Sequence, residues 1–215
     1  MECRQDREQE RGQTGLERRM GARHSGRRGG EMKHLGSRTL ETERLVIRAF
    51  VPQDANPMFR NWASDPEVTK YLTWPTHESE EVTRQVVASW VERDGDPTYY
   101  QWAIVWKESM EPIGSISVVN WNEGISEAEV GYCIGKPWWH RGVVSECFSE
   151  VIRFLFEEVG ANRIMARHDM NNPHSGMVMR KCGLRREGIS RQGGRNNQGI
   201  CDLGVYAILR KDYEA

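Results

Sequence analysis

Paired cysteines, long apolar runs and net charge are all scarce in this 215-residue chain. Its five cysteines show neither a C-x-x-C pair nor zinc-finger spacing, which argues against a disulfide framework and a structural zinc site: Cys3, Cys133, Cys147, Cys182 and Cys201. No apolar run approaches the roughly 20 residues of a membrane-spanning helix. The first residues have no apolar signal segment, and the formal net charge is −1. We therefore expect a cytoplasmic protein with reduced thiols and no membrane contact.

The charge is unevenly distributed along the chain. Residues 1–38 carry ten lysines and arginines against six acidic residues, whereas the remainder carries 20 basic and 25 acidic residues. The first segment has almost no large apolar side chains, so burial cannot offset the entropy lost on ordering it. We predict a disordered basic extension over residues 1–38 and one folded domain over residues 39–215. A tail that binds RNA is an alternative for the extension, while the acidic body argues against a nucleic-acid surface on the domain.

Hydrophobic periodicity predicts the element order β-α-α-β-β-β-α-β-α-β-β. The predicted strands cover residues 44–50, 99–106, 113–119, 127–134, 163–167, 184–191 and 202–209. The predicted helices cover residues 52–62 with a further turn from 65, then 76–93, 143–159 and 175–182. A turn at residues 193–199 joins the last two strands. Because the helices lie between runs of strands, the fold class is α+β, or mixed α/β, in a single domain.

The turn Trp139–Val144 lies between a predicted strand and the most strongly amphipathic helix. A turn that contains glycine and opens a helix presents several unpaired backbone N–H groups at one point. The positive end of the helix dipole lies at the same point. Such a turn is suited to a phosphate-bearing cofactor.

Five short motifs occur in a characteristic order over residues 40–210, and a turn with one glycine, Gly142, accompanies them. They are Arg44-Leu45-Val46-Ile47-Arg48, Ala128-Glu129-Val130-Gly131-Tyr132, Trp138-Trp139, Asn172-Pro173-His174-Ser175 and Lys181-Cys182-Gly183-Leu184. With this order, the chain resembles the GNAT superfamily of acetyl-CoA-dependent N-acetyltransferases, and within it the Rim-type branch of ribosomal-protein N-terminal acetyltransferases. The resemblance implies a central twisted, mostly antiparallel sheet flanked by helices.

The resemblance also implies an activity. An acetyl group would pass from acetyl-CoA, the co-substrate, to a primary amine by direct attack in a ternary complex. The acceptor amine is either a protein N-terminus or a small molecule, and the protein is a monomer or a homodimer. The alternative is a catalytically degenerate acyl-CoA-binding module, suggested by His140, Val144 and Met179. The phosphate turn departs from the family pattern at two signature positions. Trp139 stands at the first of these, and Val144 stands where glycine or alanine is usual.

The resemblance places cofactor contacts on the strand 127–134, on the turn and at the start of the helix near residue 175. The implied cofactor-binding residues are Cys133, Ile134, Trp139, His140, Arg141, Gly142, Val143, Val144, Asn172 and Ser175. If His140 needs a positive φ, that conformation costs about 1 kcal/mol. Backbone N–H groups would hold the pyrophosphate.

Glu129 and Ser175 are the implied catalytic residues. Glu129 would accept the proton of the incoming ammonium, since only the neutral amine is nucleophilic. Its alternative is a structural ion pair on the strand. Met179 stands where many family members have a tyrosine acid, so Ser175 would donate to the departing thiolate. Ser175 has a structural alternative as a helix cap.

Three residues are assigned to the acceptor side: Tyr71, Trp74 and Glu127. The two aromatic residues follow the first helices, which border the acceptor site in the family, although packing alone would also explain them. Glu127 shares a strand face with Glu129. We expect no metal site, because the histidines near residues 168–174 lack the spacing of a ligand set.

Overall fold

The computed structural model describes residues 32–215. Eight strands form one open sheet with the order β1-β2-β3-β4-β5-β6-β8-β7. Their bounds are β1 Leu40–Glu41, β2 Leu45–Ala49, β3 Gln101–Trp106, β4 Glu111–Asn122, β5 Glu127–Ile134, β6 Arg163–Asp169, β7 Arg185–Asn196 and β8 Gly199–Leu209. Every neighbouring pair is antiparallel except β5 and β6, which are parallel. The predicted α+β class with a mostly antiparallel sheet is confirmed.

Six helices flank the sheet in the described residues. They are α1 Ala55–Met58, α2 Pro66–Thr69, α3 Glu80–Val91, α4 Val143–Phe154, α5 Pro173–Lys181 and α6 Arg210–Tyr213. A π-helical turn extends α1 over Phe59–Ala63, and another extends α4 over Leu155–Val159. Between residues 32 and 215, no helix has the length and apolar character that crossing a membrane requires.

Helix α4 forms the centre of the larger core. Its apolar positions repeat at helical spacing, so one face meets the sheet, and Phe148, Val151 and Phe154 are fully buried there. Each such side chain contributes about 1.5–3 kcal/mol through burial. The α4 layer thereby fixes the position of the turn that precedes it.

Helices α1 to α3 cover part of the opposite sheet face and form a second core around Trp62, Met58 and Val87. Ser79 begins α3, because its side chain accepts a hydrogen bond from the N–H of Val82. The helix predicted from residue 76 therefore starts four residues later. The polar residues before the cap form a loop that leads from α2.

The sheet opens between its two parallel strands. Pairing of β5 with β6 is recorded for Glu127–Glu129 opposite Arg163–Met165. Beyond these residues, β5 continues to Ile134 and β6 to Asp169 without pairing to each other. The two strands therefore diverge, and backbone N–H and C=O groups are left along the edges of a cleft.

Residues 33–38 belong to the folded domain, so the predicted boundary at residue 39 is wrong. The N–H of Lys33 donates to the carbonyl of Val159 at 2.8 Å, and the N–H of Leu35 donates to the hydroxyl of Tyr100 at 2.9 Å. The indole of Trp102 donates to the carbonyl of Arg38 at 2.8 Å. These contacts join residues more than 60 positions apart, which the polar composition of the segment does not reveal. The predicted extension over residues 1–31 lies outside the described residues.

The hairpin of β7 and β8 differs from its prediction. The composition of residues 193–199 predicts a turn, but β7 runs through Asn196 and β8 begins at Gly199. A register shift between Ser190 and Gly194 shows that the two adjacent glycines accommodate a bulge. The hairpin therefore extends further than predicted, and its tip reaches the loop after α2.

Candidate functional site

The cleft between β5 and β6 opens into a cavity of about 510 Å³. Ten predicted site residues line it: Tyr71, Cys133, Ile134, Trp139, His140, Gly142, Val143, Val144, Asn172 and Ser175. Four other predicted residues are not among its lining: Trp74, Glu127, Glu129 and Arg141. The structure thus brings β5, the turn and the first residues of α5 together around one space, as the sequence predicted.

The turn before α4 has the conformation of an anion site. Gly142 has φ +72° at the N-cap position, and no side chain caps the helix. The N–H groups of the first turn of α4 are therefore not used by a cap, and they share the positive end of the helix dipole. His140 adopts φ +61°, the left-handed conformation that costs a residue with a Cβ about 1 kcal/mol.

Both departures from the family pattern in this turn have a structural explanation. Trp139 donates its indole N–H to the carbonyl of Ile134 at 2.9 Å, which fastens the turn to the end of β5. Val144 is 8% exposed and packs in the larger core. Val144 therefore adds apolar contact to α4 while the backbone of the turn keeps its shape.

Basic and imidazole side chains surround the turn. The rings of His140 and His174 lie 4.8 Å apart in an edge-on arrangement. Lys181 places its Nζ 3.5 Å from the point where a Cβ on Gly142 would lie. Arg141 is exposed, and its carbonyl accepts from Arg44 at 3.2 Å. The turn thus has two imidazoles and an ammonium beside its free N–H groups, a combination suited to phosphate.

Glu146 braces α4 against the start of β2. It accepts hydrogen bonds from the Thr42 hydroxyl at 2.6 Å and from Arg44 Nε at 2.7 Å. Burial acts to raise the pKa of Glu146, but the hydrogen bonds from Thr42 and Arg44 outweigh it and hold that pKa below its usual value. The carboxylate therefore stays charged and fixes the helix that carries the turn.

Tyr132 and Ser175 meet across the cleft. The phenol of Tyr132 donates to the main-chain carbonyl of Ser175 at 2.9 Å, and the two hydroxyl oxygens are 3.1 Å apart. Burial raises the pKa of Tyr132. The expected capping role of Ser175 is wrong, because α5 begins at Pro173 with Asn172 at the N-cap and no side-chain cap. Sequence reasoning missed Tyr132 as a site residue, although it is the last residue of the Ala128–Tyr132 motif on β5.

Glu129 is buried beside the point where β5 and β6 separate. Arg167 binds its Oε1 through Nε at 2.7 Å and through Nη2 at 2.6 Å. The side chain of Glu129 is 9% exposed. On the same sheet face, Glu127 pairs with Arg163, which also binds Glu187 through two bonds of 2.6 Å. Both glutamates are therefore ion-paired, and both face away from α4.

The tip of the β7–β8 hairpin is fastened to the loop that follows α2. Asn197 donates its side-chain N–H groups to the carbonyls of Thr69 and Trp74, both at 2.8 Å, and its backbone N–H to Leu72 at 3.2 Å. Trp74 packs on His77 with ring centroids 5.2 Å apart. Tyr71 lies at the cavity in the same loop. No pattern near Asn197 in the sequence indicates this contact.

His168 lies on β6 and is buried against α5. Its Nδ1 donates to the carbonyl of Asp169 at 2.8 Å, and its Nε2 has no partner among the described residues. The ring lies against Gly176, where an added Cβ would be 2.5 Å from Nε2. Within residues 32–215, no group of three histidine, cysteine or acidic side chains could hold a metal ion.

Comparison with known proteins agrees with this geometry. Residues 44–185 match the model of the acetyltransferase (GNAT) domain. The chain is 31% identical over 171 residues to the uncharacterized N-acetyltransferase YoaA of Bacillus subtilis (strain 168), covering 80% of this chain and 96% of that one. The crystal structure of a GNAT-family acetyltransferase from Bacillus anthracis superposes with a TM-score of 0.72 at 26% identity, covering 81% and 99% of the two chains. The [ribosomal protein uS5]-alanine N-acetyltransferase of Escherichia coli (strain K12) is 24% identical over 71% of this chain and 80% of its own.

Proposed function

The chain belongs to the GNAT family and is an acetyl-CoA-dependent N-acetyltransferase, and on that premise we propose that it acetylates the N-terminal amine of a protein. The amine would attack the thioester directly while both substrates are bound. One observation carries this proposal. The cavity at the parting of β5 and β6 is lined by the turn before α4, the end of β5 and the first residues of α5, so one space joins an anion-binding turn to an unpaired strand edge.

The cleft fits acetyl-CoA along its length. The unpaired edge of β5 offers backbone groups to the amides of a pantetheine arm, and Ile134 and Val143 provide apolar walls. The turn with Gly142 offers N–H groups to the pyrophosphate. We assign Asn172, at the opposite wall, to the arm as well. When bound, the co-substrate supplies the acetyl group.

Glu129 is the proposed proton acceptor. Its Oε1 is bound by Arg167, and its Oε2 has no recorded partner among the described residues. The free oxygen is therefore available to an ammonium, either directly or through one water molecule. Since Glu129 does not line the cavity, we expect a water to link it to the amine. Arg167 keeps the carboxylate in place during this transfer.

Glu129→Gln tests this role, and Glu187→Gln, which removes a carboxylate paired with Arg163, is a matched control outside the proposed site. We expect the first variant to lower kcat by about 10²–10⁴-fold, the usual range for general acid–base catalysis, without loss of acetyl-CoA affinity. The control should lose less than threefold. Equal losses in the two variants would show that the ion pairs support the sheet and that another group accepts the proton.

Two observations support a protein N-terminus as the acceptor: the similarity to a named relative, and the contacts that hold the tip of the β7–β8 hairpin. The Escherichia coli relative is named for acetylating the alanine of a ribosomal protein. The contacts of Asn197 hold the hairpin tip against the loop after α2, so that two backbone segments would enclose the acceptor side. A narrow, extended chain end would fit between them. The buried carboxylate of Glu129 would complement an N-terminal ammonium.

Thiol release with an acceptor panel tests the class. The panel contains a peptide with a free N-terminal alanine, the same peptide with a blocked N-terminus and one lysine, alanine itself, a polyamine and an aminoglycoside. Only the first should support turnover. Turnover with a small amine alone would overturn the acceptor, whereas acetyl-CoA binding without release to any amine would favour the degenerate module.

The cytoplasm is the proposed location, supported by free thiols at Cys133, Cys147, Cys182 and Cys201.

A further inference from the structure

Tyr132 connects the two sides of the cleft at a point where β5 and β6 are no longer paired. Strand β5 carries this residue three positions beyond the last pair with β6, and its phenol reaches α5. The ring packs on Phe148 of α4, with centroids 5.5 Å apart. The hydroxyl of Tyr132 is therefore held by a rigid strand and a rigid helix.

The hydrogen-bond directions between Tyr132 and Ser175 follow from what each atom can do. The carbonyl of Ser175 only accepts, so the phenol proton goes to it at 2.9 Å. The phenol oxygen then accepts from the Ser175 hydroxyl at 3.1 Å. No other partner of this hydroxyl is recorded among residues 32–215. Ser175 is thus a donor with one readily replaced partner.

We propose that Tyr132 is a positioning residue that holds Ser175 ready to bind the leaving sulfur, an inference that rests on the proposed function. When the carbon–sulfur bond breaks, its electron pair stays on sulfur. The Ser175 hydroxyl then rotates from the phenol oxygen to that sulfur, and the phenol proton stays on Tyr132. The thiolate takes its proton from water as it leaves, so neither side chain changes its protonation state.

The surroundings favour a negative sulfur at this position. Ser175 is the third residue of the nine-residue helix α5, where the helix dipole is positive. Burial keeps Tyr132 in its phenol form, so it does not compete as an anion. Met179, where a tyrosine acid would otherwise be expected, is 1% exposed and packs in the larger core.

A double-mutant cycle tests the inference. Tyr132→Phe keeps the ring and removes the hydroxyl, and Ser175→Ala removes its partner. We expect each to lower kcat about tenfold, the loss of one hydrogen bond to a charged group, with the Kd of acetyl-CoA changed less than twofold. The double variant should lose no more than the worse single variant. Tyr213→Phe, whose hydroxyl binds Glu157 at 2.7 Å, is the matched control and should retain full rate.

A second measurement does not depend on turnover. The ionisation of bound CoA is followed by thiolate absorbance, with the desulfo-CoA complex subtracted. A correctly placed Ser175 hydroxyl lowers the pKa of the bound thiol, and Tyr132→Phe should raise that pKa by about one unit. Ser175→Thr, which keeps a hydroxyl, should restore most of the rate lost in Ser175→Ala.

The outcomes separate the inference from the proposed function. Full activity and an unchanged thiol pKa in Tyr132→Phe, with Ser175→Ala impaired, would overturn the role of Tyr132 alone. Additive losses in the double variant would show that the phenol acts on stability and not through Ser175. Full activity in both single variants would remove Ser175 from the mechanism, and the inference with it. Absence of turnover in the parent protein would refute the proposed function itself.

Discussion

Removing the side chain of Asn197 should open the acceptor side without unfolding the protein. Asn197→Ala deletes two hydrogen bonds of 2.8 Å between the hairpin tip and the loop after α2. Each hydrogen bond contributes a net value of about 1 kcal/mol, so the contact between the hairpin tip and the loop is destabilised by about 2 kcal/mol. Since 1.4 kcal/mol is a factor of ten, the open population should rise about 30-fold. The backbone bond to Leu72 at 3.2 Å remains.

Hydrogen exchange at the hairpin tip measures this change directly. Exchange over residues 193–199 should accelerate about 30-fold, and the free energy of unfolding in urea should fall by about the same 2 kcal/mol, because the unfolded state lacks both hydrogen bonds as the open state does. The KM of the acceptor should rise while the Kd of acetyl-CoA stays constant. Gln198→Ala is the control, since Gln198 is exposed at the same tip. Exchange within twofold of the parent in Asn197→Ala would refute the reasoning.

Three further changes test the scaffold. Glu146→Gln should lower the free energy of unfolding by about 1–2 kcal/mol at pH 7. Because the folded pKa of Glu146 is lowered, its stabilisation is full above 4.5 and is lost at lower pH, so urea titrations of parent and variant should converge in acid. Gly176→Ala should cost about 1–3 kcal/mol in the same assay despite better helix propensity, since the new Cβ meets His168; a more stable variant would contradict the packing. Deleting residues 33–38 from a chain that begins at Met32 should cost about 2–5 kcal/mol, because two buried ring groups lose partners. A loss below 1 kcal/mol would show that this segment is dispensable.

The parts of the fold that depend on local pattern were predictable. Strand β5 was predicted with its observed bounds, and α4 with its π-helical turn ends where Gly160 takes φ +90°. The hairpin of β7 and β8 was not, because Gly193 and Gly194 have the composition of a turn but occur within a bulged strand. Local composition does not distinguish these two uses of glycine.

The candidate site likewise has a part that local sequence predicts and a part that depends on distant contacts. The conformation of the turn around Gly142 was predictable, because helix geometry sets it within one continuous segment. The partners of Glu129 and Ser175 were not, since Arg167 lies 38 residues and Tyr132 lies 43 residues away. Their contacts depend on how α5 and β6 pack against β5, which periodicity does not specify.

The contact of Lys33 with Val159 also indicates where a tether or a fusion partner can be attached. The described chain begins beside the C-terminal end of the helical segment 143–159, whose other end forms the phosphate turn. At 1.5 Å per residue, these ends are about 25 Å apart. A surface tether or fusion partner joined ahead of residue 32 therefore starts remote from the cleft. Immobilised through that end, the protein would leave its cleft facing the solution.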